Sequence, residues 1–131
     1  MILVTAAILI KDNSVLIAKR KSSDSLPNKW EFPGGKIEDN ETAEQCLIRE
    51  LKEEFGINIK ITSYFGDSIY QYPEFKIKLI AFHCKWLDGQ IVSSAHDEYK
   101  WVRIEKLDKY DFADADIPLV KKLMKEYQNG F

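Results

Sequence analysis

Gly35 to Ile57 reads GKIEDNETAEQCLIRELKEEFGI, and this stretch decides the fold. Thr42 is a ready helix N-cap, with Gln45 three residues on as its capping-box partner. Ala43, Leu47, Leu51 and Phe55 then recur on one side of a helical wheel, and Gly56 stands where a left-handed cap belongs. The pattern predicts an amphipathic helix from about Thr42 to Phe55. Its last turns carry Glu50, Glu53 and Glu54, whose spacing places three carboxylates on neighbouring positions beside the apolar arc. One reading is a solvated face, with Arg49 paired to Glu53 one turn on. The other is a site for a hard divalent cation, because clustered carboxylates beside a buried stripe repel one another and are costly to desolvate.

The chain before the helix is extended. Val4–Ile10 is apolar and β-branched, Asp12-Asn13 signals a turn, and Val15–Ala18 resumes, which predicts a hairpin. Lys21–Lys29, with Pro27, reads as a surface loop, and Trp30–Phe32 as a short apolar run before the turn at Pro33-Gly34-Gly35. Beyond the helix, Ile57–Tyr70 and Lys76–Trp86 read as strands joined through Pro73. Leu87-Asp88-Gly89 reads as a turn, Tyr99–Ile104 as another strand, and Ile117–Tyr127, opened by Pro118, as a closing helix. Strands outnumber helices, with the first helix lying between strands in sequence. The expected form is an α/β/α sandwich with a mixed β-sheet, a single domain over residues 1–131.

Composition narrows the function. A net charge of −2 offers no basic surface for long nucleic acid, so a small anionic substrate would need local cations. Met1–Ile10 is apolar but too short to span a bilayer, without a basic start or cleavage site, so no membrane association is expected. Cys46 and Cys84 show no paired spacing and read as buried free thiols, which points to the cytoplasm. His83 and His96 lack ligand-spaced partners and read as structural.

Taken together, Gly35, Glu41, Arg49-Glu50-Leu51, Glu53-Glu54, Gly56 and Ile57 fall at the fixed spacings of the Nudix box, and the chain resembles the Nudix hydrolase superfamily. Lys29–Glu38, reading KWEFPGGKIE, is similar to the MutT-like branch, whose members clean nucleotide pools. The resemblance implies the same α/β/α sandwich and a Mg²⁺-dependent enzyme, with Mn²⁺ able to substitute. It implies hydrolysis of a nucleoside triphosphate of the 8-oxo-dGTP type to monophosphate and pyrophosphate. It also implies roles. Glu50, Glu53 and Arg49 would be catalytic; Gly35, Glu50, Glu53, Glu54 and Glu98 would make the metal site, with Asp97 an alternative to Glu98. Arg20, Phe32, Gly34, Lys36 and Asp116 would bind substrate. The assembly would be a monomer or homodimer.

Two departures bear on these roles. Where the bacterial 8-oxo-dGTP enzymes carry Asn, this chain has Asp116, which is similar to the branch acting on cytosine nucleotides such as CTP, dCTP or 5-methyl-dCTP. Where the family often supplies a further metal-binding Glu before the Trp101 strand, this chain has Ala95. Asp116 has two readings, a base reader or the N-cap of the last helix. Phe32 and Trp30 are base contacts or core, and Tyr70, Tyr72 and Phe75 stack on a base or simply pack. A non-catalytic nucleotide-binding Nudix domain is the alternative of another class, which an intact Glu50-Glu53-Glu54 set disfavours.

Overall fold

The computed structural model describes residues 1–21, 26–92 and 96–130. Its strands are β1 (Ile2–Lys11), β2 (Ser14–Arg20), β3 (Trp30–Glu31), β4 (Ile57–Gln71), β5 (Lys76–Gly89) and β6 (His96–Arg103), and its α-helices are α1 (Ala43–Phe55) and α2 (Ile117–Gln128). Asp12 and Asn13 both adopt positive φ, +52° and +63°, the pair that matches a tight turn to the twist of the β1–β2 hairpin. β5 lies parallel to β1 and antiparallel to β4, while β3 and β6 both flank β2, so the sheet is mixed.

Both faces of this sheet are covered, and β1 and β2 show it residue by residue. Ala6, Ile8, Val15 and Ile17 face a core shared with Leu119, Val120 and Leu123 of α2. Their neighbours Ala7, Leu9, Leu16 and Ala18 face Leu47, Leu51 and Phe55 of α1. Strands buried on both sides need continuous apolar runs, which is what Val4–Ile10 supplies. Leu47, Leu51 and Phe55 are fully buried, and each contributes about 1.5–3 kcal/mol by leaving water. This is the expected α/β/α sandwich.

The capping reading of α1 holds in full. Gln45 N–H donates to Thr42 Oγ1 (3.1 Å), and Thr42 N–H donates to Gln45 Oε1 (2.9 Å). Gly56 ends the helix at φ +71°. Other expectations need correction. Leu87-Asp88-Gly89 is not a turn but the end of β5, where Gly89 pairs with Ile57. Its φ of +97° and the Gly56 carbonyl 2.5 Å from any added Cβ explain the glycine without a turn. A short helix, Ile104–Lys109, follows β6 where nothing was expected. β6 begins at His96, three residues before the strand expected from Tyr99, and ends at Arg103. Asp116 does not cap α2 with its side chain.

Candidate active site

The segment after β3 lies along β1. Ala7 N–H donates to the Pro33 carbonyl (2.7 Å), Thr5 N–H to that of Gly35 (2.8 Å), and Ile37 N–H to that of Leu3 (3.0 Å, donor Ile37). This close approach is why glycines are required. A Cβ on Gly34 would lie 1.9 Å from the Thr5 carbonyl oxygen, and one on Gly35 would lie 2.3–2.6 Å from the Glu50 carboxyl group. The Gly35 carbonyl was expected to bind metal. It faces the sheet instead, accepting from the Thr5 hydroxyl (3.2 Å) as well as the Thr5 amide, so its lone pairs are taken. What Gly35 gives the site is room for Glu50.

Arg49 is the hub that orders the acidic residues. Its Nε and Nη2 donate to the two carboxylate oxygens of Glu41 (2.9 and 2.7 Å), a bidentate pair. Its Nη1 reaches Glu50 (2.9 Å) and Glu53 (3.1 Å), and Nη2 also meets the Lys36 carbonyl (3.3 Å). Hydrogen bonding from Arg49 holds the Glu41 carboxyl down at about 2. The anticipated Arg49–Glu53 pair is present, but as one spoke of this network. Behind it, Cys46 sits at the Gly35 and Lys36 carbonyls, and burial pushes its thiol up to about 11. Cys84 is pushed up by burial to about 12, so both free cysteines are inert structural thiols.

Beside the hub opens a cleft of about 520 Å³. Glu50, Glu54, Gly34, Gly35 and Lys36 line one end; Phe32, Tyr72, Phe75 and Asp116 line the other; Arg20, Glu31 and His96 also line it. Glu53 is not in the lining, and its side chain is 61% exposed. The Glu54 carboxyl is pushed up to about 8, first by burial and then by the charge of Glu50, with Glu31 and Glu53 adding to it. Such a carboxyl is short of positive charge. Among the described residues no group of three or more His, Cys, Asp or Glu is already gathered as a metal cage. The Glu50–Glu54 pair nonetheless fits Mg²⁺, which keeps several waters and takes one or two carboxylates plus substrate phosphates. Glu98 does not join them. It is 44% exposed and pairs with Lys19 (3.6 Å) outside the cleft lining. Ala95 and the side chain of Asp97 lie outside the described residues.

The other end of the cleft is aromatic. Phe32 is buried against Phe112 (ring centroids 5.5 Å apart), and Tyr72 packs on both Tyr70 and Phe75 (4.7 and 5.1 Å). Trp30 instead packs edge-on against Tyr110 and does not line the cleft, so its core reading stands. Asp116 is buried with them. Its Oδ2 accepts from the Phe32 amide (3.0 Å), and its carboxyl is raised well above the usual range by burial and by the Glu31 charge. Tyr72 Oη accepts from the Ala115 amide (3.0 Å), which ties the aromatic wall to the segment that leads into α2.

Sequence reasoning missed Glu31 and His96. Glu31 was one letter of a short apolar strand, and His96 was assigned to structure. The pair meets at 2.8 Å, His96 Nε2 to Glu31 Oε2, across 65 residues of chain, a contact that no local spacing announces.

A carboxylate-walled cleft beside a glycine turn, opening into an aromatic pocket, on a two-helix sandwich with a mixed sheet, defines a Nudix-type hydrolase. The NUDIX domain family model matches residues 1–123, and the chain belongs to that family, in its MutT-like branch. It is 36% identical over 124 residues to the CTP pyrophosphohydrolase of Escherichia coli (strain K12), covering 95% of this chain and 92% of that one. It is 34% identical over 115 residues to the 8-oxo-dGTP diphosphatase of the same strain, covering 88% and 89%. Among solved structures, that of the E. coli ORF135 protein superposes with a TM-score of 0.86 at 34% identity, covering 99% of this chain and 93% of that chain. The chain is accordingly a hydrolase. Among the described residues no helix is long and apolar enough to cross a membrane.

Proposed function

We propose that this enzyme hydrolyses a nucleoside triphosphate of the 8-oxo-dGTP type to the monophosphate and pyrophosphate, using Mg²⁺, with Mn²⁺ able to substitute. In the cell it would sanitise the nucleotide pool of the cytoplasm and so limit damage to DNA. It would work as a monomer or homodimer on a small molecule rather than on long nucleic acid. The observation that carries this reading is the continuity of one cleft from the Glu50–Glu54 carboxylates to the pocket of Phe32, Tyr72, Phe75 and Asp116. That arrangement suits a molecule with a polyanionic end and a flat polar end. The 8-oxo-dGTP diphosphatase of E. coli supports the same reading.

Glu50 and Glu54 would hold the metal, with Glu53 beside them. Bound there, the metal supplies charge neutralisation and an acidified water for attack at phosphorus. Arg49 fixes the rotamer of Glu50 and orders Glu41, so that the carboxylates are placed before substrate arrives. A carboxylate of this set takes the proton of the attacking water. Arg20 and Lys36 would meet the phosphate chain, since they are cations in the cleft lining. Phe32 and its neighbours would stack on the base, and Asp116 would read its edge.

Asp116 is also compatible with a second reading, a cytosine nucleotide. A carboxyl oxygen accepts from the cytosine N4 amino group, and it accepts equally from guanine, whose N1–H and N2–H₂ lie side by side. The 36% identity to a CTP pyrophosphohydrolase supports this alternative. A panel of dGTP, 8-oxo-dGTP, dCTP, 5-methyl-dCTP and CTP, ranked by kcat/KM, separates them. Failure to release pyrophosphate from any of these would return the chain to the binding-module reading.

A further inference from the structure

Glu31 poses a charge problem. The cleft already contains Glu50, Glu54 and Asp116, and a further carboxylate opposes any polyanion entering it. Glu31 is also fully engaged. Its Oε1 accepts from Arg20 Nη1 at 3.0 Å and its Oε2 meets His96 Nε2 at 2.8 Å. A carboxylate only accepts, so the hydrogen of the second bond lies on Nε2. Three strands are thereby joined through one side chain: β2 at Arg20, β3 at Glu31 and β6 at His96.

The backbone is shaped for this junction. Arg20 faces His96 across β2 and β6, and the register shifts between Lys19 and Arg20. A bulge of this kind re-aims the side chain that follows it. His96 is anchored in turn, with its side chain 5% exposed and its ring stacked on Phe55 at 5.4 Å, the last residue of the catalytic helix. Glu31 also lines the cleft that holds Glu54 and Asp116, and its charge raises the carboxyl of each.

We propose that Glu31 is a positioning residue for substrate: clamped by His96, it fixes the Arg20 guanidinium in the cleft so that Arg20 meets the phosphate chain. A guanidinium presents five donors in a rigid fork, so holding one edge sets the direction of the rest. Losing Glu31 removes one restraint on the long side chain, and that share of its ordering must then be supplied at the moment of binding. Glu31 therefore acts through Arg20, and the proposal rests on the nucleotide reading above.

The test is a double-mutant cycle on Arg20→Ala and Glu31→Ala in the full chain. It is read by kcat and KM on the best triphosphate, by calorimetric Kd for α,β-methylene dGTP with Mg²⁺, and by Mn²⁺ affinity from electron paramagnetic resonance. Glu31→Ala should raise KM and the analogue Kd roughly tenfold or more while kcat stays within about threefold and Mn²⁺ affinity does not fall. In the Arg20→Ala background the same change should add almost nothing. Additive losses, a fall in kcat at constant KM, weakened Mn²⁺ binding, or tighter analogue binding after Glu31→Ala would each overturn the proposal. So would an analogue that fails to bind the unmodified protein. Should Glu31→Ala not fold, Glu31→Leu, which fills the space but accepts from neither Arg20 nor His96, carries the same cycle. Non-additive analogue binding without turnover would sink the proposed reaction and leave the clamp standing. Turnover with additive losses would sink the clamp alone.

Discussion

Protons and metal should compete at Glu54, and the competition can be sized. Its carboxyl stands at about 8 instead of the ordinary 4.5, because burial and the Glu50 charge disfavour the ionised form. At pH 8 about half of Glu54 is ionised and at pH 6 about 1%. A metal that needs the carboxylate must displace the proton, so apparent affinity should fall about fiftyfold between pH 8 and pH 6. That is an upper limit, since water in the open cleft screens part of the repulsion. Linkage gives the matching sign for stability. The folded value lies above the unfolded one, so Glu54 favours the metal-free fold at low pH, and this contribution is lost as pH rises between 4.5 and 8. Metal should therefore raise Tm more at pH 8 than at pH 6. Glu41 has the opposite sign: its stabilisation by Arg49 is present above 4.5 and lost as pH falls towards 2. Mn²⁺ titration without substrate at pH 6, 7 and 8 reads the effect directly. A flat affinity across that range would rule out this competition, as would a metal-induced Tm shift independent of pH.

Three further outcomes follow from the geometry. Glu50→Gln and Glu54→Gln should each lower kcat by at least about a hundredfold in a folded protein, with Glu53→Gln milder because Glu53 stands outside the cleft lining; circular dichroism and kinetics at saturating Mg²⁺ decide. Gly35→Val should cut activity far more than its effect on Tm, since the first added carbon already lies 2.3 Å from the Glu50 carboxyl carbon, and unchanged kinetic constants would remove the turn from the site. Asp116→Asn should reorder dCTP, dGTP and 8-oxo-dGTP by kcat/KM, with a mispaired buried group costing about 1–3 kcal/mol; an unchanged ranking would leave base choice to Phe32 and Phe75.

What was legible in the sequence was local. The Thr42–Gln45 box, the Gly56 cap and the apolar arc of α1 each rest on residues a turn apart, and all stand in the structure. The need for Gly34 and Gly35 was legible too, although its cause, the Thr5 carbonyl and the Glu50 carboxyl, is distant in sequence. The cleft was only half readable. Helical spacing brought Glu50, Glu53 and Glu54 together but could not tell that Glu50 and Glu54 line the cleft while Glu53 stays outside it, because that depends on the distant segments that form the other walls. Nor could it show that the Asp116 carboxyl leaves the helix end uncapped and turns instead to an amide 84 residues away, that of Phe32. The clamp at Glu31 needed three strands in register, and strand pairing is where local patterns carry least information.

The proposed reaction is cleavage of a nucleoside triphosphate into monophosphate and pyrophosphate at the Glu50–Glu54 end of the cleft. Phosphorus NMR of 8-oxo-dGTP and dCTP incubated with the enzyme and Mg²⁺ tests it most directly. Monophosphate and pyrophosphate should appear in equal amounts, stop on chelation with EDTA, and be all but lost in Glu54→Gln. Release of diphosphate and inorganic phosphate, or turnover that survives EDTA or the loss of Glu54, would contradict it.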